Sequence, residues 1–141
     1  MRIVIATGGF DPIHSGHINY LNCAKQLGDL LIVGVNSDAW LERKKGKAFL
    51  PYEERVAIVC NLKSVDAVVE FDDSDGSATD SIRKVREKYP NANLVFANGG
   101  DRTKENIPEM SLVDSNLEFV FAVGGDTKQN SSSWILNNWS K

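Results

Sequence analysis

An α/β fold is predicted for this chain: a single doubly wound domain with a five-stranded parallel sheet and helices on both faces. Three observations predict it. Short β-type runs alternate with helical patterns from end to end. The β-type runs are continuously apolar, as strands covered on both faces require. Helix punctuation falls between them, with serines and a proline at the starts and a glycine at a stop. Alternation of this kind builds a parallel sheet, because each connection crosses back over one face.

The first strand is Ile3 to Thr7. Ile18, Leu21, Ala24 and Leu27 then recur at helical spacing, which predicts a helix over Ser15–Leu27 with Ser15 as its cap and Gly28 as its stop. Leu30 to Val35 is a second strand, and Ser37 or Asp38 caps a short helix through Leu41. Pro51 opens the next helix in its first turn, beside Glu53 and Glu54, with Val56, Val59 and Leu62 as its apolar stripe. Strands follow at Ala67–Phe71, Leu94–Ala97 and Leu117–Val123, with a helix over Ser77–Tyr89 and a final one over Ser132–Trp139. The ligand cleft of such a sheet lies beyond the carboxyl ends of the strands.

Composition narrows the function. The 141 residues suit one domain over 1–141, and 42% hydrophobic with 25% charged residues excludes disordered and fibrous classes. A net charge of −3 (16 basic against 19 acidic residues) argues against a nucleic-acid partner. No apolar run approaches the roughly 20 residues of a membrane span, and no leader pattern is visible, so a cytoplasmic location without a membrane partner is expected. Cys23 and Cys60 form no CxxC pair and read as buried thiols on helices. Trp134 and Trp139 read as core or dimer contacts.

The chemistry concentrates after the first strand, in Gly8-Gly9-Phe10-Asp11-Pro12-Ile13-His14-Ser15-Gly16-His17. A glycine turn lets backbone approach a phosphate, and a helix start offers unpaired N–H groups at a positive dipole end. His14 and His17, three apart at that start, can face one point. The competing readings are a β–α turn with a capping histidine, and a metal site through His14, His17 and Asp11. The run Asp72-Asp73-Ser74-Asp75-Gly76 fails as a calcium loop, since Phe71 and Ile82 would stand at the first and last ligand positions. It reads as a solvated acidic loop.

This block resembles the HxGH signature of the cytidylyltransferase-like nucleotidyltransferases, which have a Rossmann-like domain. Val35-Asn36-Ser37-Asp38-Ala39, Arg43-Lys44-Lys45-Gly46, Glu54-Arg55 and Val65-Asp66-Ala67-Val68-Val69 resemble the middle of heptose-1-phosphate adenylyltransferases and glycerol-3-phosphate cytidylyltransferases. Gly99-Gly100-Asp101 and Glu105-Asn106-Ile107-Pro108-Glu109 are similar to the heptose-1-phosphate group, and Ser131-Ser132-Ser133 to the Ser/Thr signature that opens a C-terminal helix.

The resemblance implies transfer of a nucleoside monophosphate from CTP or ATP to a small phosphorylated acceptor, a sugar or polyol phosphate, with release of pyrophosphate and with Mg2+ accompanying the NTP. By that resemblance His14, His17, Lys45 and Ser132 are catalytic. Gly8, Gly9, Phe10, Gly99, Gly100, Asp101, Arg55, Ser131 and Ser133 bind the nucleotide. Asp11, Arg102 and Lys44 face the acceptor. Arg55 has a second reading as a carboxylate-paired loop anchor, the lysines as a solvated basic loop, the serines as a plain N-cap, and Gly99-Gly100 as a tight turn. Small members of these families often form homodimers, and the modest core here permits one.

Departures fall at Gly9, where the family usually carries threonine, serine or cysteine, at Arg102, and at Gln129-Asn130. They bear on substrate identity. A pyridine-nucleotide or phosphopantetheine adenylyltransferase is the competing enzyme reading. A non-catalytic nucleotide-binding module is the competing reading of another class, against which the intact histidine pair argues.

Overall fold

A computed structural model describes residues 1–99, 108–111, 114–124 and 132–139. Its elements are β1 (Arg2–Gly8), α1 (Ser15–Lys25), β2 (Leu30–Val35), α2 (Asp38–Lys45), α3 (Tyr52–Val59), β3 (Ala67–Val69), α4 (Thr79–Lys88), β4 (Asn93–Ala97), β5 (Leu117–Val120) and α5 (Ser132–Trp139). A single 3-10 turn, Pro108–Ser111, precedes β5.

Successive side chains of a strand point to opposite faces, and in the central strands both sets are apolar. Val4 and Ala6 of β1, Leu31, Val33 and Val35 of β2, and Val95 and Ala97 of β4 lie in one buried cluster with Leu21 and Ala24 of α1 and Val59 of α3. Ile3, Ile5, Ile32, Leu94 and Phe96 lie in a second cluster with Ile82 and Val85 of α4. The sheet therefore has helices on both faces, as the continuous apolar runs predict.

Strand order is β3-β2-β1-β4-β5, and every pairing is parallel. Right-handed crossovers explain which helix covers which face. The steps β1 to β2 to β3 move one way and put α1 and α3 on one side. The step from β3 to β4 passes back over β2 and β1 and lays α4 on the other side. The direction reverses between β1 and β4, which places the crevice at their carboxyl ends.

Several boundaries differ from the sequence-based expectation. The cap of α1 is His14, not Ser15, and the helix stops at Lys25. α2 continues past Leu41 to Lys45, through good helix formers, and ends at Gly46 with φ 95°. Pro51 is the cap of α3 rather than its first residue, and Leu62 lies beyond that helix. α4 starts at Thr79, with Ala78 as its cap, and the Ala78 amide donates at 2.6 Å to the carboxylate of Glu109 from beyond β4 in the chain. β5 ends at Val120, just before Ala122 (φ 56°) and Gly124 (φ 82°) turn the chain.

Cys60 is exposed and Cys23 half-buried, so neither is the buried thiol expected. Trp134 and Trp139 are 51% and 80% exposed and do not belong to the core. No helix among the described residues is long and apolar enough to cross a membrane.

Ile82 is wholly enclosed between α4 and the sheet. Ile82→Ala should destabilise the fold by about 2–5 kcal/mol, seen as a lower urea midpoint at unchanged slope. A loss under about 1 kcal/mol would mean that α4 does not seal this face.

Candidate active site

The site begins with a helix that needs a cap. The first amides of α1 have no intrahelical partner, and the HxGH motif satisfies them with imidazoles. His14 Nδ1 accepts from the Gly16 amide at 3.0 Å, and His17 Nδ1 accepts from the His14 amide at 3.2 Å. The result is a capping box built from two histidines. A ring nitrogen that accepts carries no proton, so both imidazoles are assigned as Nε2–H tautomers, with Nε2 the donor. The rings stack with centroids 3.9 Å apart and planes 30° from parallel. Capping, one of the opposed readings in the sequence, uses Nδ1 of both rings.

Burial pushes the His17 pKa from 6.5 down to about 4, and neighbouring His14 adds to the shift. His17 is thus neutral at pH 7. Its floor is Phe10, which is 2% exposed and meets the His17 ring edge-on at 5.0 Å. The Phe10 side chain is therefore a core support for His17.

Asp11 corrects an expectation. Its side chain is 1% exposed, and it faces the protein's own loop. Its carboxylate accepts from the Phe49 and Leu50 amides, each at 2.6 Å, and pairs with Lys45 Nζ at 3.0 Å. Lys45 also donates to the Asp11 carbonyl at 2.5 Å. Of the basic run, Lys45 turns to the histidine loop, whereas Lys44 lies over the Trp40 ring at 4.7 Å.

Arg55 shows the anchor reading. It is 1% exposed, and its guanidinium donates to the carbonyls of Leu50 (3.0 Å), Gly9 (2.9 Å) and Asn36 (2.6 Å) and to the Asp38 carboxylate (2.6 Å). These contacts tie the ends of β1 and β2 to the start of α2, and occupy the group that a phosphate would need.

Asn36 continues the tie. Its amide donates to the Gly8 carbonyl at 2.9 Å and its side chain to Asp73 at 3.1 Å. Asp73, expected in a solvated loop, is 4% exposed and also accepts from the Ser37 amide and hydroxyl. Asp73 had no local signal to separate it from Asp72 and Asp75, because its partners lie some 36 residues away.

Ser132, at the start of α5, donates from Oγ to the Pro12 carbonyl at 2.8 Å, which brings this helix start to the histidine loop. The glycines are explained by close packing. A Cβ on Gly9 would stand 2.9 Å from Leu41 Cδ2, on Gly8 3.1 Å from the Phe10 ring, and on Gly99 3.0 Å from the Tyr20 ring. Tyr20, which carried no sequence signal, also donates to the Ala97 carbonyl at 2.8 Å. Gly100, Asp101, Arg102 and Ser131 lie outside the described residues, as does the Ser133 side chain.

The described residues do not form a metal site. Among those described, no three His, Cys, Asp or Glu side chains are grouped to hold an ion. Both Nδ1 atoms and the Asp11 carboxylate are committed to backbone amides.

The low pKa of His17 has a consequence for stability. Between pH 6.5 and 4 the unfolded chain gains a proton on this ring and the folded chain does not. Its contribution is complete above pH 6.5 and is lost as the pH falls toward 4. An NMR titration of the His17 ring should give a midpoint near 4, and His17→Gln should flatten the decline of the urea midpoint across that window. A midpoint near 6.5 would contradict the neutral, buried ring.

Comparison with known proteins agrees with this geometry. The bifunctional protein HldE of Pelobacter propionicus is 35% identical over 144 aligned residues, covering 99% of this chain and 28% of that protein. HldE of Photorhabdus laumondii is 38% identical over 129 residues, covering 90% and 24%. The chain thus spans about a quarter of the length of these curated relatives. The crystal structure of the lipopolysaccharide core biosynthesis protein from Thermoplasma volcanium GSS1 superposes with a TM-score of 0.66 at 25% identity, over 92% of this chain and 99% of that one. Residues 5–137 match the family model described as cytidylyltransferase-like. With the histidine-capped turn at the carboxyl end of β1, that match makes the chain a member of the cytidylyltransferase-like family.

Proposed function

We propose that this chain transfers a nucleoside monophosphate from CTP or ATP to the phosphate of a small acceptor, a sugar or polyol phosphate. The single observation that carries the reading is the stacked pair of Nε2–H imidazoles at the start of α1. An acceptor phosphate oxygen attacks the α-phosphorus, the bond to the β-phosphate oxygen breaks, and pyrophosphate leaves with that electron pair. A phosphate monoester has a second pKa of about 6 and is largely dianionic at pH 7, so the attack needs no general base. The protein has to align two anions and stabilise charge that grows on the α-phosphate.

The residues suit that task. Neutral His17 donates a hydrogen bond without the cost of burying a cation, and His14 sits at the positive end of α1. Lys45 supplies a mobile positive charge beside them, and the start of α5 approaches through Ser132. The residues outside the described set leave the base and the acceptor as proposals, read from the resemblance around Asp101 and Arg102. Mg2+ is proposed to arrive on the triphosphate, since the described protein groups offer it no cluster, and no step above runs through it.

Pyrophosphate release measured over a grid of NTPs and phosphorylated acceptors tests the reading. Release with a sugar or polyol phosphate supports it. Release only with nicotinate mononucleotide or phosphopantetheine, or tight NTP binding without any release, overturns it. His14→Ala and His17→Ala should each lower kcat by about 10²–10³-fold while the NTP KM changes far less. An equal loss in binding alone would reduce the histidines to ligand holders.

A further inference from the structure

The Asp11 carboxylate is buried, yet it meets three electropositive groups drawn from residues 34 to 39 positions further on. We propose that Asp11 is a positioning residue: it holds the Lys45 ammonium and the Phe49–Leu50 backbone against the histidine turn, and releases Lys45 to a substrate phosphate while the two amides keep its charge compensated. The role given to released Lys45 rests on the nucleotidyl-transfer reading. The clamp itself does not.

The three contacts are unequal. The two amide contacts, at 2.6 Å each, are short, charge-assisted and fixed in the backbone. The ammonium contact to the carboxylate is longer, at 3.0 Å, and although Nζ also donates to the Asp11 carbonyl at 2.5 Å, it belongs to a flexible stem whose side chain is 26% exposed. A buried charge that loses its only partner is strongly destabilising. Asp11 does not meet that fate when Lys45 leaves, because both amides stay.

Lys45 is also the last residue of α2, and Gly46 follows it in the left-handed region at φ 95°. The lysine therefore sits where helix restraint ends. The loop is held from outside as well. Trp139 of α5 meets the Phe49 ring edge-on at 6.4 Å, while Ser132 at the other end of α5 bonds Pro12. One helix thus touches both the histidine turn and the loop that Asp11 secures. A carboxylate so occupied has little left to offer an acceptor.

The test uses Asp11→Asn, Lys45→Gln and the double variant of the full chain, with three readouts. In Lys45→Gln, amide hydrogen exchange at Phe49 and Leu50 should stay within about twofold of wild type, because the amides alone hold Asp11. A tenfold loss of protection, or failure of this variant to fold, would overturn the clamp. In ligand-free protein, competitive acetylation read by mass spectrometry should label Lys45 about fivefold more slowly than Lys44 and Lys47, and Asp11→Asn, which leaves only the bond to the backbone carbonyl, should at least halve the difference. Equal labelling in the wild type would overturn it too.

In steady-state kinetics each single variant should lose about tenfold in kcat, with the double within about threefold of Lys45→Gln and acceptor KM nearly unchanged. A rise in acceptor KM at constant kcat, in both lysine backgrounds, would place Asp11 on the acceptor and overturn the proposal. If no NTP and acceptor react at all, the transfer reading falls, while exchange and acetylation still decide the clamp.

Discussion

The carboxyl edge of the sheet is held by one buried guanidinium. Arg55 comes from α3 and donates to backbone carbonyls at the ends of β1 and β2 and in the loop before its own helix. It also pairs with Asp38 at the first turn of α2. Taking a charge out of water carries a penalty of several kcal/mol, offset here by hydrogen bonds to groups that would otherwise be buried without partners. Such an arrangement is directional. Four segments that carry the site can meet in one geometry because a planar fork defines their separations. The surrounding apolar clusters drive collapse, but they are not directional. The guanidinium is what turns a covered sheet into a sheet with a shaped end.

On that platform the histidine pair does two things at once. A helix that starts at a strand end must have its first amides satisfied, and side-chain acceptors do this. Serine or aspartate would have served the cap alone. Imidazoles cap through Nδ1 and so fix which nitrogen carries the proton. Burial over Phe10 then keeps His17 uncharged. The tautomer, ring orientation and protonation state are thus consequences of local folding, in place before any ligand arrives. Preorganised donors of this sort need no rearrangement when charge develops on a bound phosphate.

The strands, their parallel order and the covering of both faces were readable because the signal is local and repeated. Ile3 to Ala6 or Leu31 to Val35 can be buried only between two layers. The motif itself was readable because His14, Gly16 and His17 act within one helical turn. Arg55 was ambiguous, since a sequence shows that an arginine is present but not which carbonyls surround it. Asp11 was assigned outward by resemblance to a family whose first-loop aspartate faces the second substrate, and the return of the chain at Phe49 and Leu50 engages its carboxylate from within. Asp73 looked like a member of an acidic loop and Glu109 like part of a family block, yet each accepts from the cap residue of a helix in a distant part of the chain. The exposed Cys60 is an error of the same kind, made by applying average burial to a single position.

By itself, the sequence determined the layer order and the histidine turn that follows the first strand. Apolar period, helix punctuation and a motif spanning four residues are properties of neighbours along the chain. Tertiary structure decided which polar side chains hold the scaffold together. Those assignments depend on backbone amides and carbonyls brought close from remote segments, and a backbone group carries no identity that the order of residues could reveal.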